Sequence, residues 1–105
     1  MRSLVNAPKT ARQGEIIEIK AMVAHPMETG YRTDAKGAPI PRNIVNRFTC
    51  TYDGEEIFSA DFFPAISANP FLSFTTVATA SGPITFTWTA DDGATQTATV
   101  EITVT

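Results

Sequence analysis

The chain has 105 residues, 43% hydrophobic and 18% charged, with one His and one Cys. That suits one soluble domain spanning residues 1–105, large enough for its own core. A single Cys excludes an intrachain disulfide and gives no zinc-ligand spacing. No stretch approaches the roughly 20 apolar residues that span a bilayer, so no membrane association is expected. The net charge is −3 with no basic run of five residues, which argues against nucleic acid as a partner. The charge is nonetheless uneven. Residues 1–47 hold all eight basic side chains against Glu15, Glu18, Glu28 and Asp34. Residues 48–105 hold seven acids and no base.

In chain order, the signal is β almost throughout. Met1 to Gln13 has no apolar run of signal-peptide length, and Leu4-Val5 reads as a short first strand. From Glu15 to Val23, Ile17, Ile19, Ala21 and Val23 alternate with Glu18 and Lys20. Period-two patterning of this kind marks a strand buried on one side. Phe48, Cys50 and Tyr52 alternate in the same way with Arg47, Thr49 and Thr51. Asp53-Gly54 then supplies the chemistry of a two-residue hairpin turn. Glu55 to Phe62 returns with Phe58, Ala60 and Phe62 on one face. Phe71 to Thr79 is a further strand, and Phe71-Leu72 with Phe74 blurs its alternation enough to suggest a bulge. Ile84, Phe86 and Trp88 alternate cleanly with threonines. Asp91-Asp92-Gly93-Ala94 is a tight turn, and Ala98, Val100, Ile102 and Val104 form the inner side of a last strand. About seven short antiparallel strands in this length predict an all-β chain with an immunoglobulin-like β-sandwich architecture.

Two segments break the pattern. Ala24 to Asn43 contains Pro26, Pro39, Pro41, Gly30 and Gly37. A loop of this length in a small domain is functional or disordered more often than not. Asp34-Ala35-Lys36-Gly37 could fold it into a small hairpin. Phe62 to Leu72 is rich in apolar residues, yet Pro64 and Pro70 keep it from pairing as a central strand.

The residues available for chemistry are few. Cys50 shares the inward phase of Phe48 and Tyr52, so it reads as a buried structural thiol rather than a nucleophile. His25 is a lone histidine in a proline-containing loop, with no Ser or Cys at a motif spacing, and reads as a turn or surface residue. Asp91 and Asp92 fit a hairpin turn better than half of a metal site. No glycine-rich phosphate loop, catalytic triad or metal cluster appears, so neither catalysis nor a cofactor is expected. Arg32, Lys36, Arg42 and Arg47 cluster in or beside the long loop. They read either as a solvated loop or as a patch that steers an acidic protein partner. The Phe63–Leu72 segment either caps the sandwich or, if exposed, forms an association surface.

Four strings carry a resemblance: HPMETG at 25–30, IPRNIVNRFTC at 40–50, FFPAISANPFLSF at 62–74 and ITFTWTADDG at 84–93. In this order and spacing the chain resembles the SoxZ family, the small subunit of the SoxYZ carrier of bacterial sulfur oxidation. The resemblance implies an immunoglobulin-like fold and a heterodimer with SoxY. The glycine-rich arm of SoxY carries the sulfur-bearing cysteine, so Cys50 does not take that role. This chain ends Glu101-Ile102-Thr103-Val104-Thr105 without such an arm, which fits SoxZ rather than SoxY. The resemblance further implies a periplasmic location, reached by co-export with a signal-bearing SoxY, and transient contact with the Sox enzymes that oxidise thiosulfate. Within the matching strings, Phe63, Pro64, Ile66, Asn69, Pro70 and Phe71 are the candidates for packing on SoxY. His25, Met27, Glu28, Arg32, Arg42 and Arg47 are the candidates for contact with the arm of SoxY or with visiting enzymes. Self-association of the isolated chain as a homodimer is left open. A generic immunoglobulin-like protein- or carbohydrate-binding module fits the composition equally well, but it leaves the four strings unexplained.

Overall fold

A computed structural model describes all residues, Met1–Thr105. Eight strands form: β1 (Ser3–Asn6), β2 (Thr10–Ala11), β3 (Ile16–Val23), β4 (Val45–Tyr52), β5 (Glu55–Asp61), β6 (Phe71–Val77), β7 (Gly82–Ala90) and β8 (Thr95–Val104). They make two sheets, ordered β1-β3-β6 and β2-β8-β7-β4-β5. The immunoglobulin-like sandwich expected from the alternation is present. One element departs from it: β2 is an additional two-residue strand that runs parallel to β8. Two residues are too few to show a period, so no sequence signal marked it.

The inward phases are those of the alternation. Ile17, Ile19, Ala21 and Val23 face Phe48, Cys50, Tyr52, Ile84, Phe86, Trp88 and Ile102 across one buried core. Phe48 sits at its centre, with ring centroids 5.2 Å from Trp88, 6.1 Å from Phe58 and 6.3 Å from both Phe74 and Phe86. Phe58 and Phe74 stack at 4.4 Å, joining the open margins of the two sheets. Tilted and offset aromatic pairs of this kind add stability beyond the area they bury. The outward phase of the larger sheet is threonine-rich, with Thr49 beside Thr87 and Thr87 beside Thr97.

The bulge expected in β6 is not there. The β3–β6 register runs without a shift from Ile16↔Val77 to Met22↔Phe71. Phe71 simply points outward, while Leu72 and Phe74 keep the inward phase. Irregularity falls instead in β4, between Cys50 and Thr51 against β5, and between Val45 and Arg47 against β7. The β4–β5 turn is as expected, with Asp53 and Gly54 both at positive φ, 51° and 83°.

Tyr52 closes the end of the sandwich opposite the long loop. Its hydroxyl donates to the Ala80 carbonyl at 2.5 Å and accepts from the amides of Thr79 at 3.2 Å and Ala80 at 3.3 Å. Tyr52→Phe keeps the ring but strands three backbone groups. The expected loss is about 1–2 kcal/mol, since an unmade bond to a partly buried polar group costs about that much. Thermal unfolding should show it as a drop of about 4–8 °C per kcal/mol; an unchanged melting temperature would show that water replaces the hydroxyl at no cost.

Candidate functional site

Both irregular segments lie at the same end of the sandwich. It is the end where β3 finishes, β4 begins, β5 finishes and β6 begins. The chain leaves β3 at Val23 and returns to β4 at Val45 through a twisted ribbon. Glu28 bridges Asn43 and Thr33 bridges Pro39. The tip is the hairpin expected at Asp34–Gly37: the Asp34 amide donates to Ala38 O at 2.8 Å, and Asp34 Oδ1 accepts from the Lys36 and Ala38 amides at 2.8 and 3.0 Å. The two sides of the ribbon approach so closely that a Cβ on Gly30 would lie 2.9 Å from Arg42 Cβ. Every residue from Tyr31 to Pro39 is exposed. The molecule is 60 Å long and only 19 by 18 Å across. A ten-residue strand spans about 33 Å, so the ribbon carries the molecule well beyond the sandwich.

His25 ties the ribbon to the second irregular segment. Its amide donates to Asn69 Oδ1 at 2.9 Å, and the Asn69 amide donates back to His25 O at 2.8 Å. His25 Nδ1 accepts the Met27 amide at 3.0 Å, and burial lowers the imidazole pKa. The ring is therefore neutral, and its Nδ1 lone pair is occupied. His25 was expected at a turn or surface; it is buried, because the two loops close over it. Met27 is buried as well and belongs to the core, with Sδ 3.2 Å from the Val45 amide. Pro70 is buried too, and its carbonyl accepts from the Val23 amide. These three residues shape the end of the sandwich from within. Asn69 is exposed but is committed to His25, and its φ of 53° is one that asparagine tolerates.

The arginines are paired. Arg32 forms a two-pronged ion pair with Glu28; the guanidinium stays largely in water, and its hydrogen bond holds the mostly covered Glu28 carboxyl below its ordinary range against the opposing effect of burial. Arg47 Nη1 lies 2.7 Å from Asp61 Oδ1. Arg42 Nε lies 2.8 Å from Asp91 Oδ2. Asp91 also accepts from Asn46 Nδ2 at 3.0 Å and the Ile44 amide at 3.2 Å. The hydrogen bond from Arg42, then that from Asn46, holds the Asp91 carboxyl down at about 2. Neighbouring Asp92 keeps the expected turn, with Oδ1 accepting the Ala94 amide. The cationic loop expected from the charge split is thus largely neutralised, and Lys36 is the basic side chain of the ribbon outside any ion pair. One polar atom at the ribbon base, Asn43 Oδ1, is buried without a donor.

His25 and Asp91 both contribute to the acid response, beside Glu28, whose carboxyl the Arg32 hydrogen bond holds below its ordinary range. The folded-state pKa of His25 lies below its ordinary 6.5, so the unfolded chain takes up the proton first and stability falls as pH drops below about 6.5. Asp91 is depressed from 3.8 to about 2, so its contribution is whole above pH 4 and is lost as pH falls towards 2. Melting temperature measured from pH 7 to pH 2 should fall on both limbs. Asp91→Asn should cost about 1 kcal/mol of stability at pH 7, a figure kept small by the exposure of Arg42, and should flatten the lower limb alone. A variant that retains the full acid limb would remove Asp91 as its source.

Of the residues proposed to pack on a partner, Phe63 is 65% exposed, Phe71 58% and Ile66 40%. Pro64 is partly exposed. Phe71 does not stand alone. Leu4 pairs with Met22, and Met22 with Phe71, so the three make one apolar row across the outer face of the smaller sheet. Leu4 is 67% exposed. A shallow groove of 250 Å³ runs along the row, lined by Leu4, Val5, Asn6, Lys20, Met22 and Phe71. Sequence reasoning missed Leu4 and Met22. The signal was available: each is an apolar residue on the outward phase of its strand.

Cys50 is fully buried, and burial pushes its thiol up to about 12. It is a core residue, as expected.

The chain is a β-sandwich with an exposed apolar face beside a projecting ribbon. The family described as "Sulphur oxidation protein SoxZ" matches residues 5–101. The chain belongs to the SoxZ family. It is accordingly a non-catalytic subunit of the periplasmic SoxYZ sulfur carrier and pairs with SoxY, which bears the carrier cysteine. No curated protein matches its sequence. Among solved structures, it is similar to the superoxide reductase (neelaredoxin) from Ignicoccus hospitalis, with TM-score 0.77 and 18% identity over 100% of this chain and 81% of that one. It is also similar to the sulfur carrier protein SoxY from Chlorobium limicola f thiosulfatophilum, with TM-score 0.69 and 15% identity over 98% and 78%. A putative superoxide reductase from Thermotoga maritima gives TM-score 0.74 and 16% identity over 98% and 85%. At these identities the likeness is one of fold.

Proposed function

We propose that this end of the sandwich is the partner surface of the subunit, with Phe63, Pro64, Ile66 and Phe71, joined by Leu4 and Met22, packing on SoxY. The observation that carries this is the apolar row Leu4–Met22–Phe71, aligned by register across three strands and left uncovered. Soluble domains rarely leave an apolar row open without a use for it. His25, Met27, Asn69 and Pro70 serve the surface indirectly, by holding the two loops together. The ribbon, with Glu28, Arg32 and Arg42, reaches past this surface towards the arm of SoxY or a visiting Sox enzyme. Arg47, beside its base at the start of β4, is paired with Asp61 of β5. Because each of these arginines has an acidic partner within the chain, the ribbon acts through shape and hydrogen bonding more than through long-range steering. Export to the periplasm proceeds in company with SoxY, which supplies the signal.

The test is to mix the chain with SoxY and measure the mass of the complex, for the native chain and for Phe63→Asp combined with Phe71→Asp. The native chain should form a one-to-one complex that the double variant does not. Equal assembly by both would remove this surface as the interface.

A further inference from the structure

We propose that the open edge of β6 receives an open edge strand of the SoxY subunit, so that the smaller sheet continues through hydrogen bonds across the heterodimer. This rests on the pairing with SoxY and specifies its geometry. Two bonds flanking β6 define which backbone groups face β3. The Val23 amide donates to Pro70 O, and the Ala78 amide donates to Glu15 O. Both pairs continue the β3–β6 register. In an antiparallel ladder such bonded pairs recur at every second residue. Leu72, Phe74 and Thr76 therefore bond to β3, while the amides and carbonyls of Phe71, Ser73, Thr75 and Val77 point away from it. β6 is the last strand of its sheet, so no strand of this chain meets them.

The edges of this sandwich are not equally protected. β5, on the same margin, carries Glu55, Glu56 and Asp61 and is broken in register near Cys50. β1 has four residues and β2 has two. Charges, bulges and shortness are how proteins blunt an edge against pairing. β6 has none of these: Phe71-Leu72-Ser73-Phe74-Thr75-Thr76-Val77 is seven residues long, in continuous register, and free of charge and proline. An edge of that kind persists where a partner strand covers it. The outward side chains at the two ends of β6, Phe71 and Val77, are 58% and 45% exposed, and Phe71 also ends the apolar row. Edge pairing and packing on the row therefore form one continuous surface. SoxY is the occupant because it is the pairing subunit and has the same sandwich fold, matched over 98% of this chain. Its strands carry the twist that an added strand needs to follow this sheet.

Amide hydrogen exchange on the native chain, alone and with SoxY, tests this residue by residue. In the free chain the amides of Phe71, Ser73, Thr75 and Val77 should exchange much faster than those of Leu72, Phe74 and Thr76. In the complex their exchange should slow at least tenfold. Thr75→Pro removes one outward donor at an edge position where proline is tolerated, and it should weaken SoxY binding at least tenfold while melting within a few degrees of the native chain. If Thr75→Pro does not fold, the exchange pattern decides alone. A complex that forms with these amides still unprotected overturns the edge pairing and leaves the SoxY reading standing. Failure of the native chain to bind SoxY overturns both. Protection that grows with the concentration of the chain alone makes a second copy the occupant and overturns the assignment to SoxY.

Discussion

Phe48→Ala should remove about 3–5 kcal/mol of folding stability, the range for truncating a buried phenylalanine. Phe48 is wholly buried, and four other aromatic rings surround it. Two of these, Trp88 and Phe86, belong to β7 of its own sheet, Phe58 lies on the neighbouring β5, and Phe74 reaches across from β6. Alanine leaves a cavity whose walls come from both sheets. The walls are held by ladder hydrogen bonds, so they cannot collapse inward to fill it. Domains of this size have a total stability of about 5–15 kcal/mol, so the variant should sit near the edge of folding. Denaturant unfolding measures this directly: the midpoint should fall with the slope unchanged. A loss below about 1 kcal/mol would mean that the sheets can close over the gap, and that the core is far more plastic than its register suggests.

Phe63→Asp with Phe71→Asp should weaken SoxY binding by a hundredfold or more. A buried aromatic at the centre of an interface typically contributes about 2 kcal/mol or more, roughly thirtyfold in affinity for each residue. Aspartate adds a carboxylate that must shed water against an apolar partner surface. The isolated chain should hardly notice the change, because both side chains are more than half exposed. Surface substitutions away from structural features stay within about 0.5 kcal/mol. The pair of readouts separates a binding defect from a folding defect. Titration calorimetry or analytical ultracentrifugation supplies the first and thermal melting the second. An affinity within threefold of native would show that SoxY docks elsewhere on the sandwich. Low salt should change the native affinity little, since the nearby arginines are already paired with acids of the same chain.

The contrast between these two variants reflects what was legible before folding. Strand identity and facing were readable because side-chain alternation is local. Ile17, Ile19, Ala21 and Val23 needed no knowledge of what they would face, and the same holds for Phe48, Cys50 and Tyr52. The Asp53-Gly54 and Asp34–Gly37 turns were readable for the same reason, since their hydrogen bonds close within a few residues. The bulge misassigned to β6 shows where the local rule weakens. An outward Phe71 next to an inward Leu72 looks like broken alternation when outward apolar residues are not anticipated.

The site is a different matter. His25 looked exposed from its neighbours in sequence; Asn69, 44 positions later, ties down its backbone, the His25 amide donating to Asn69 Oδ1 and the Asn69 amide donating to His25 O. Arg42 looked like a free cation because Asp91, which neutralises it, is 49 positions away. Leu4, Met22 and Phe71 are unremarkable singly and become a surface only when β1, β3 and β6 align. By itself the sequence therefore determined every strand but β2, their inner faces, the short turns and, through four strings, the family. Only the tertiary structure decided which charges remain free, which loops meet, and where apolar side chains are left uncovered. Burial within a strand follows a period of two residues, whereas ion pairing and surface exposure depend on which distant segments the topology brings together.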